Sequence, residues 1–225
     1  MEKAVLSWSG GKDAAYALYE VQKERSIEVV ELLTTISAET GRSTMHGVRK
    51  GLLDRQSERT EIPIRYVELP ENPSNREYED IMSGVLEEYE SRGVEGMIFA
   101  DIFLEDVRKY REEQLSPTSV EGYWPLWRRD TSELINDFLD AGFRTTVVCV
   151  DGDALDESFV GRELDGGFVK DLPDGVDPCG ENGEFHTFVW SGPIYDRPIK
   201  IRKGDKVTKT VDDTTLHYCD ILENA

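Results

Sequence analysis

Between Lys3 and Tyr19 the chain allows very few local folds. An apolar run (Ala4, Val5, Leu6, Trp8) stops at Ser9-Gly10-Gly11-Lys12-Asp13, and Ala14, Ala15, Tyr16, Ala17, Leu18 and Tyr19 follow without a breaker. The reading is strand, glycine turn, helix start. Two adjacent glycines let the backbone curl so that several N–H groups converge on one anion. The helix N-terminus adds partial positive charge, and Lys12 adds a full one. Ser9, Gly10 and Gly11 are therefore candidate phosphate-binding positions. Asp13 either caps the first helical turn or holds Mg²⁺ through water. The spacing is not that of a Walker A loop, which needs Gly-x-x-x-x-Gly-Lys-Ser/Thr. A glycine-rich turn without a ligand is the alternative.

The same alternation continues through the first half. Apolar strands are expected at 3–8, 27–36, 64–69 and 96–100, with helices near 12–25, 46–58, 74–92 and 104–115. The helix at 74–92 is the clearest: Tyr78, Ile81, Met82, Val85, Leu86 and Tyr89 recur with helical period, and Gly93 closes it. Strands separated by helices predict βαβ units and a mostly parallel sheet. Ligands bind such sheets beyond the carboxyl ends of the strands. That rule selects Ser9–Asp13, Thr35 within 34–37, and Asp101. His46, expected where a loop enters the second helix, joins them as a phosphate-side candidate.

Pro117–Trp127 breaks the rhythm. A helix at 131–141 and a strand at 145–150 follow, and 151–225 reads as short segments rich in Gly, Asp and Pro, without a βαβ period. The expected division is a domain over 1–128 that carries the phosphate-binding turn and a smaller α+β domain over 129–225. Trp124 and Trp127 are read as packing at the junction, and His217 as structural.

No apolar run approaches the ~18 residues of a membrane span, and no basic-then-apolar leader opens the chain, so a cytoplasmic protein is expected. Cys149, Cys179 and Cys219 are widely spaced, which argues against a disulfide framework. The net charge is −20, with 46 acidic residues against 26 basic ones. The acids are dispersed over helix faces. That favours adaptation to high salt, a halophilic surface, over a surface directed at a basic partner. It also gives no reason to expect nucleic-acid binding.

A second signature lies at Asp177-Pro178-Cys179-Gly180-Glu181-Asn182-Gly183-Glu184-Phe185-His186-Thr187-Phe188. It holds acids, an amide and a histidine within six positions. Glu181 and Glu184 are candidates for holding a cation or for acid–base work. If 183–189 is a strand, Glu184 and His186 face one side. A solvated turn leading into an edge strand is the plainer alternative.

Together with Ser9–Asp13, this segment resembles the diphthine–ammonia ligase family of N-type, PP-loop ATP pyrophosphatases. Met45-His46-Gly47, Pro125-Leu126-Trp127, Leu155-Asp156-Glu157-Ser158, Gly161-Arg162 and Gly192-Pro193-Ile194 match in order. The resemblance implies a Rossmann-like domain of the HUP type followed by a family-specific one. It implies an ATP-dependent ligase that adenylates a carboxylate, releases pyrophosphate and lets ammonia displace AMP. The implied acceptor is diphthine on elongation factor 2, with ammonium as nitrogen source and ATP and Mg²⁺ as cofactors; a homodimer is an open expectation. Carried onto this chain, the catalytic set is Lys12, Glu181, Asn182, Glu184, His186 and Thr187, and the nucleotide set is Ser9, Gly10, Gly11, Lys12, Asp13, Thr35, His46 and Asp101. Two departures stand out. Asn182 and His186 replace a glycine and a glutamate of the diphthine-processing pattern, as in a related branch linked to cobalamin salvage and small-molecule carboxylates. Ala14 replaces a serine common in PP-loops. A nucleotide sensor on the same fold is a further alternative, disfavoured by the two signatures.

Overall fold

The computed structural model describes all residues except Met45, Asp212, Asp213 and Ala225. Met45, one of the residues carrying the resemblance, therefore lies outside the described set.

Two sheets organise the chain. The first contains β1 (Glu2–Ser7), β2 (Ile27–Ser37), β3 (Ile64–Leu69), β4 (Gly96–Ile98) and β5 (Glu121–Tyr123), joined through α1 (Lys12–Glu24), α2 (Lys50–Thr60), α3 (Asn75–Ser91) and α4 (Glu105–Leu115). All its pairings are parallel, in the order β3-β2-β1-β4-β5. Strand order reverses beside β1, and the crevice there opens at the end of β1 that carries Ser9–Asp13.

Both faces of this sheet are covered. That is why its central strands read as continuous apolar runs. Leu6, Leu32 and Ile98 are buried with Ala14, Ala15 and Leu18 of α1 and Leu52 and Leu53 of α2. Val5, Leu33 and Met97 are buried with Met82, Val85, Leu86 and Tyr89 of α3. Each large side chain so buried contributes about 1.5–3 kcal/mol. The ends of α3 are fixed as its sequence indicates. Ser74 and Glu77 form a reciprocal capping box, and Gly93 takes the left-handed conformation just past the last turn.

The second sheet is antiparallel, in the order β7-β6-β9-β8. It is built from β6 (Arg144–Asp151), β7 (Phe185–Ser191), β8 (Ile201–Val211) and β9 (Thr214–Glu223), with α5 (Thr131–Asp140) and α6 (Gly166–Asp171). Its inner side chains, among them Val147, Val150, Phe188 and Val189, share one buried cluster with α1 and α2. Tyr16 of α1 packs edge-on against Phe138 and Phe143, each 6.1 Å away, so the two sheets meet through an apolar seam. No helix among the described residues is long and apolar enough to cross a membrane.

The structure corrects several expected boundaries. The second helix starts at Lys50, not at residue 46. Before it, Gly47 N–H donates to Ser43 O and Val48 N–H to Ser43 Oγ, with Gly47 at φ +65°. β4 ends at Ile98, two residues short of the expected bound, and Phe99 N–H makes the last ladder bond, to Tyr123 O of the short β5, which the broken rhythm after Pro117 concealed. The segment 151–225 is not only short pieces: β8 and β9 are 11- and 10-residue strands that pair antiparallel. A register shift between Lys203 and Lys206 interrupts the alternation of β8 and hides it from a period-two reading.

Candidate active site

The turn after β1 is gripped from three sides. Gly10 has φ +80°, and a Cβ there would lie 2.7 Å from Gln56 Oε1. A Cβ on Gly11 would lie 2.9 Å from His46 Cε1 and 3.2 Å from Thr187 O. Both glycines are thus required by close approach, and the first also by its backbone conformation. Gln56, fully buried in α2, accepts from Trp8 Nε1 at 2.9 Å. Its amide donates to Gly10 O at 3.0 Å and Val189 O at 2.7 Å. Val189 N–H also donates to Gly10 O at 3.0 Å. β7 of the second sheet therefore lies directly against the glycine turn.

One of the turn's own donors is consumed by that contact. Lys12 N–H donates to Thr187 Oγ1 at 3.0 Å, while Gly11 N–H reaches Ser9 Oγ at 3.2 Å. Among the described residues, no acceptor meets the N–H groups of Gly10, Asp13 or Ala14. These are orphan donors of a helix start, the kind of group that holds an anion, and Asp13 and Ala14 border the cavity beside the turn.

The turn borders a cavity of about 540 Å³. Ser9, Lys12, Asp13, Thr35, His46, Asp101, Glu181, His186 and Thr187 all line it. Gly10 and Gly11, both expected on the nucleotide, are not among its lining residues: they are packed against Gln56, His46 and β7. The cavity continues between α3 and α4 into an apolar half lined by Tyr78, Met82, Leu86, Met97, Phe99 and Leu115. Sequence periodicity assigns three of these to the core face of α3; their cavity edge carries no separate signal.

Charge in the cavity is strongly perturbed. Lys12 Nζ lies 2.6 and 2.7 Å from the Asp13 carboxylate. Burial works against its charge, but Asp13, reinforced by Glu181, more than offsets that and holds the ammonium above its ordinary pKa. Burial pushes the Glu181 carboxyl up to about 7, even though Ile102 N–H donates to it at 2.7 Å. The His46 and His186 rings lie 4.5 Å apart. Burial lowers them to about 4 and about 3, with Lys12 repelling both cations and His46 also repelling His186. His46 Nδ1 is 3.2 Å from Thr187 O, a carbonyl that can only accept, so this nitrogen carries the proton and Nε2 the lone pair.

Three candidates are placed differently from the others. Glu184 precedes β7 and turns away from the cavity. Its carboxylate accepts from Asp177 N–H, Asn182 N–H and Asn182 Nδ2, each at 3.0 Å. Asn182 serves that same loop, and the turn at Gly183, φ +92°, sends Glu184 inward. Glu184 and His186 therefore do not present one face, because β7 begins only at Phe185. Asp101 lines the cavity, but its carboxylate is held by Arg111 at 2.7 and 3.0 Å and by Trp124 Nε1 at 3.2 Å. Trp124 and Trp127 sandwich the Arg108 guanidinium rather than lining the cavity. Gln56 is the clearest residue missed from sequence, since a glutamine next to Leu52 and Leu53 looks like a polar interruption of an apolar face.

The two halves of this site correspond to two family models. Residues 1–116 match the diphthamide synthase N-terminal domain and residues 130–222 the diphthamide synthase C-terminal domain. The chain belongs to the diphthamide synthase family. Similar curated proteins are the diphthine–ammonia ligase of Bos taurus, 26% identical over 129 residues that cover 55% of this chain and 48% of the relative, and that of Danio rerio, 27% identical over 150 residues covering 60% and 55%. The chain spans about half the length of these relatives. For this diphthamide synthase family member, the cavity draws Lys12 and Asp13 from the segment matching the N-terminal domain. Glu181, His186 and Thr187 come from the segment matching the C-terminal one.

Proposed function

We propose that the chain is an ATP-dependent carboxylate–ammonia ligase that converts diphthine on elongation factor 2 to diphthamide. The supporting observation is a single cavity that joins an anion cradle with Lys12 to a carboxyl, Glu181, held near neutrality. The division into an ATP-binding unit over 1–128 and an acceptor unit over 129–225 is part of this reading.

ATP binds as substrate. Its phosphates meet the N–H groups of Asp13 and Ala14 and the Lys12 ammonium, and its base fits the apolar half beside Met82 and Phe99. An acceptor carboxylate oxygen attacks the α-phosphorus, and the bond to the β-phosphate breaks. Positioning and charge neutralisation supply most of the catalysis of such a step. Among the described residues no group of three His, Cys, Asp or Glu converges on a metal position. Asp13, with its side chain 31% exposed on the cavity, suits Mg²⁺ that arrives with the nucleotide and keeps its waters. Such an ion would neutralise charge on the departing pyrophosphate.

Amide formation needs a base, because ammonium carries no lone pair. Glu181 is suited to take that proton, and the freed ammonia attacks the acyl carbon while AMP leaves. The neutral imidazoles of His46 and His186 accept or donate hydrogen bonds without adding charge. Glu184 and Asn182 shape the loop that carries Glu181, and Thr187 fixes the turn that carries Lys12.

His186 in the cavity wall favours a second acceptor, a small-molecule carboxylate of the cobinamide type, since it departs from the diphthine-processing pattern where the acceptor would lie. Incubation with ATP, ammonium and either elongation factor 2 bearing diphthine or a cobinamide acid separates the two. Mass spectrometry should find the diphthine carboxylate converted to amide. Conversion of the small molecule alone would replace the acceptor, and conversion of neither would remove the ligase reading.

A further inference from the structure

The acid surplus is not spread evenly. Residues 200–209 hold Lys200, Arg202, Lys203, Lys206 and Lys209 against one acid, Asp205. Elsewhere cations pair readily, as Arg42 and Arg49 do with Asp220 and Arg144 with Glu163. Among the described residues, only Lys3, Arg25 and Lys170 share with these five the lack of a carboxylate within ion-pair distance. In a chain with 46 acids this is not a shortage of partners.

The five cations lie on or beside β8, the outermost strand of its sheet, whose second ladder edge pairs with no described strand. The strand is exposed and includes Val207, 45% accessible. Lysines guard edge strands against aggregation. That role does not explain an exposed valine between them, nor the lack of ion pairs among the described residues, because a paired lysine guards as well.

We propose that the β8 edge is a docking strand for an extended acidic segment of a protein partner. The segment adds to the sheet through main-chain hydrogen bonds, and its carboxylates meet the cations that share their face, Arg202 with Lys209 on one side and Lys203 with Lys206 on the other. A nucleic acid suits the surface less, because its phosphate backbone would run from β8 onto the acid-rich remainder. A second copy through the same edge would set like charges opposite one another. The edge also lies near the cavity. Val207 pairs with Tyr218, Tyr218 with Cys149 and Cys149 with His186. Three ladder steps of this kind span roughly 14 Å. A docked segment therefore runs alongside the cavity rather than across it.

The test is an NMR and fluorescence-anisotropy titration of the full chain. The probes are a peptide of about eight residues alternating Glu and Thr, its Lys–Thr counterpart, and a U-rich RNA oligonucleotide. The Glu–Thr peptide should bind, shift and protect amides of 202–209, and weaken as salt rises to about 0.5 M. Lys203→Glu with Lys209→Glu should lower its affinity by ~10-fold or more with an unchanged circular dichroism spectrum. Should that variant fail to fold, Lys203→Gln with Lys209→Gln should give a smaller loss in the same direction. No binding of the Glu–Thr peptide, equal binding of the Lys–Thr peptide, insensitivity to these substitutions, or binding of the RNA in its place would overturn the proposal. The titration needs no ATP, so its failure is distinct from failure of the ligase reading.

Discussion

Thr187 Oγ1 accepts the backbone N–H of Lys12 at 3.0 Å across 175 positions of sequence. One hydroxyl thus ties the second signature to the glycine turn and occupies one of the N–H donors at the start of α1. Thr187→Val leaves that buried N–H unpaired, at a cost of about 1–2 kcal/mol. The expected result is a lower melting temperature and a raised KM for ATP, with Thr187→Ser close to the parent. An unchanged KM in Thr187→Val would separate the contact from nucleotide binding.

Gln56 tests the same seam from behind. Gln56→Glu keeps the shape but turns an acceptor toward Gly10 O and Val189 O, which already need a donor. It should destabilise the fold by about 2–3 kcal/mol, and more than Gln56→Leu, read from denaturant melts. Equal tolerance of both would show that the amide's polarity is idle.

Much of this site was legible in the sequence. Ser9–Asp13 sits at the carboxyl end of β1 because an apolar run, two glycines and an alanine-rich stretch permit little else. The apolar face of α3 follows from its period. What stayed hidden depends on long-range packing. Glu184 and His186 have the right parity, but three N–H donors draw Glu184 into its own loop. His46 reads as the start of a helix, but Gly47 N–H returns to Ser43 O and the helix begins only at Lys50. Gln56 carries no local mark at all, since only β7 and the glycine turn give it a purpose.

Glu181 should set the pH dependence of amide formation. Its carboxyl, raised to about 7 by burial, serves as a base only when deprotonated, so kcat/KM for ammonium should rise through that pH. Glu181→Gln should remove this limb and lower amide formation by ~10²-fold while ATP still binds. A parent-like limb in Glu181→Gln would assign the proton to another group.

The histidine pair should make the fold acid-sensitive. Both rings have lowered pKa values in the folded protein, about 4 and about 3, against an ordinary 6.5. The unfolded chain therefore binds more protons across this window. Stability is full above about pH 6.5 and falls as pH drops toward 4. His46→Gln with His186→Gln should flatten that decline in melts taken from pH 7 downward. Identical slopes for parent and variant would place the acid sensitivity elsewhere.

The central claim is attack at the α-phosphate of ATP in the cavity that Lys12 shares with Glu181. Thin-layer analysis of α-labelled ATP, incubated with ammonium and the diphthine-bearing factor, tests it most directly. The expected label is in AMP, formed in step with amide and lost in Lys12→Ala while the fold persists. Label accumulating in ADP, or AMP formation undiminished in Lys12→Ala, would contradict the account.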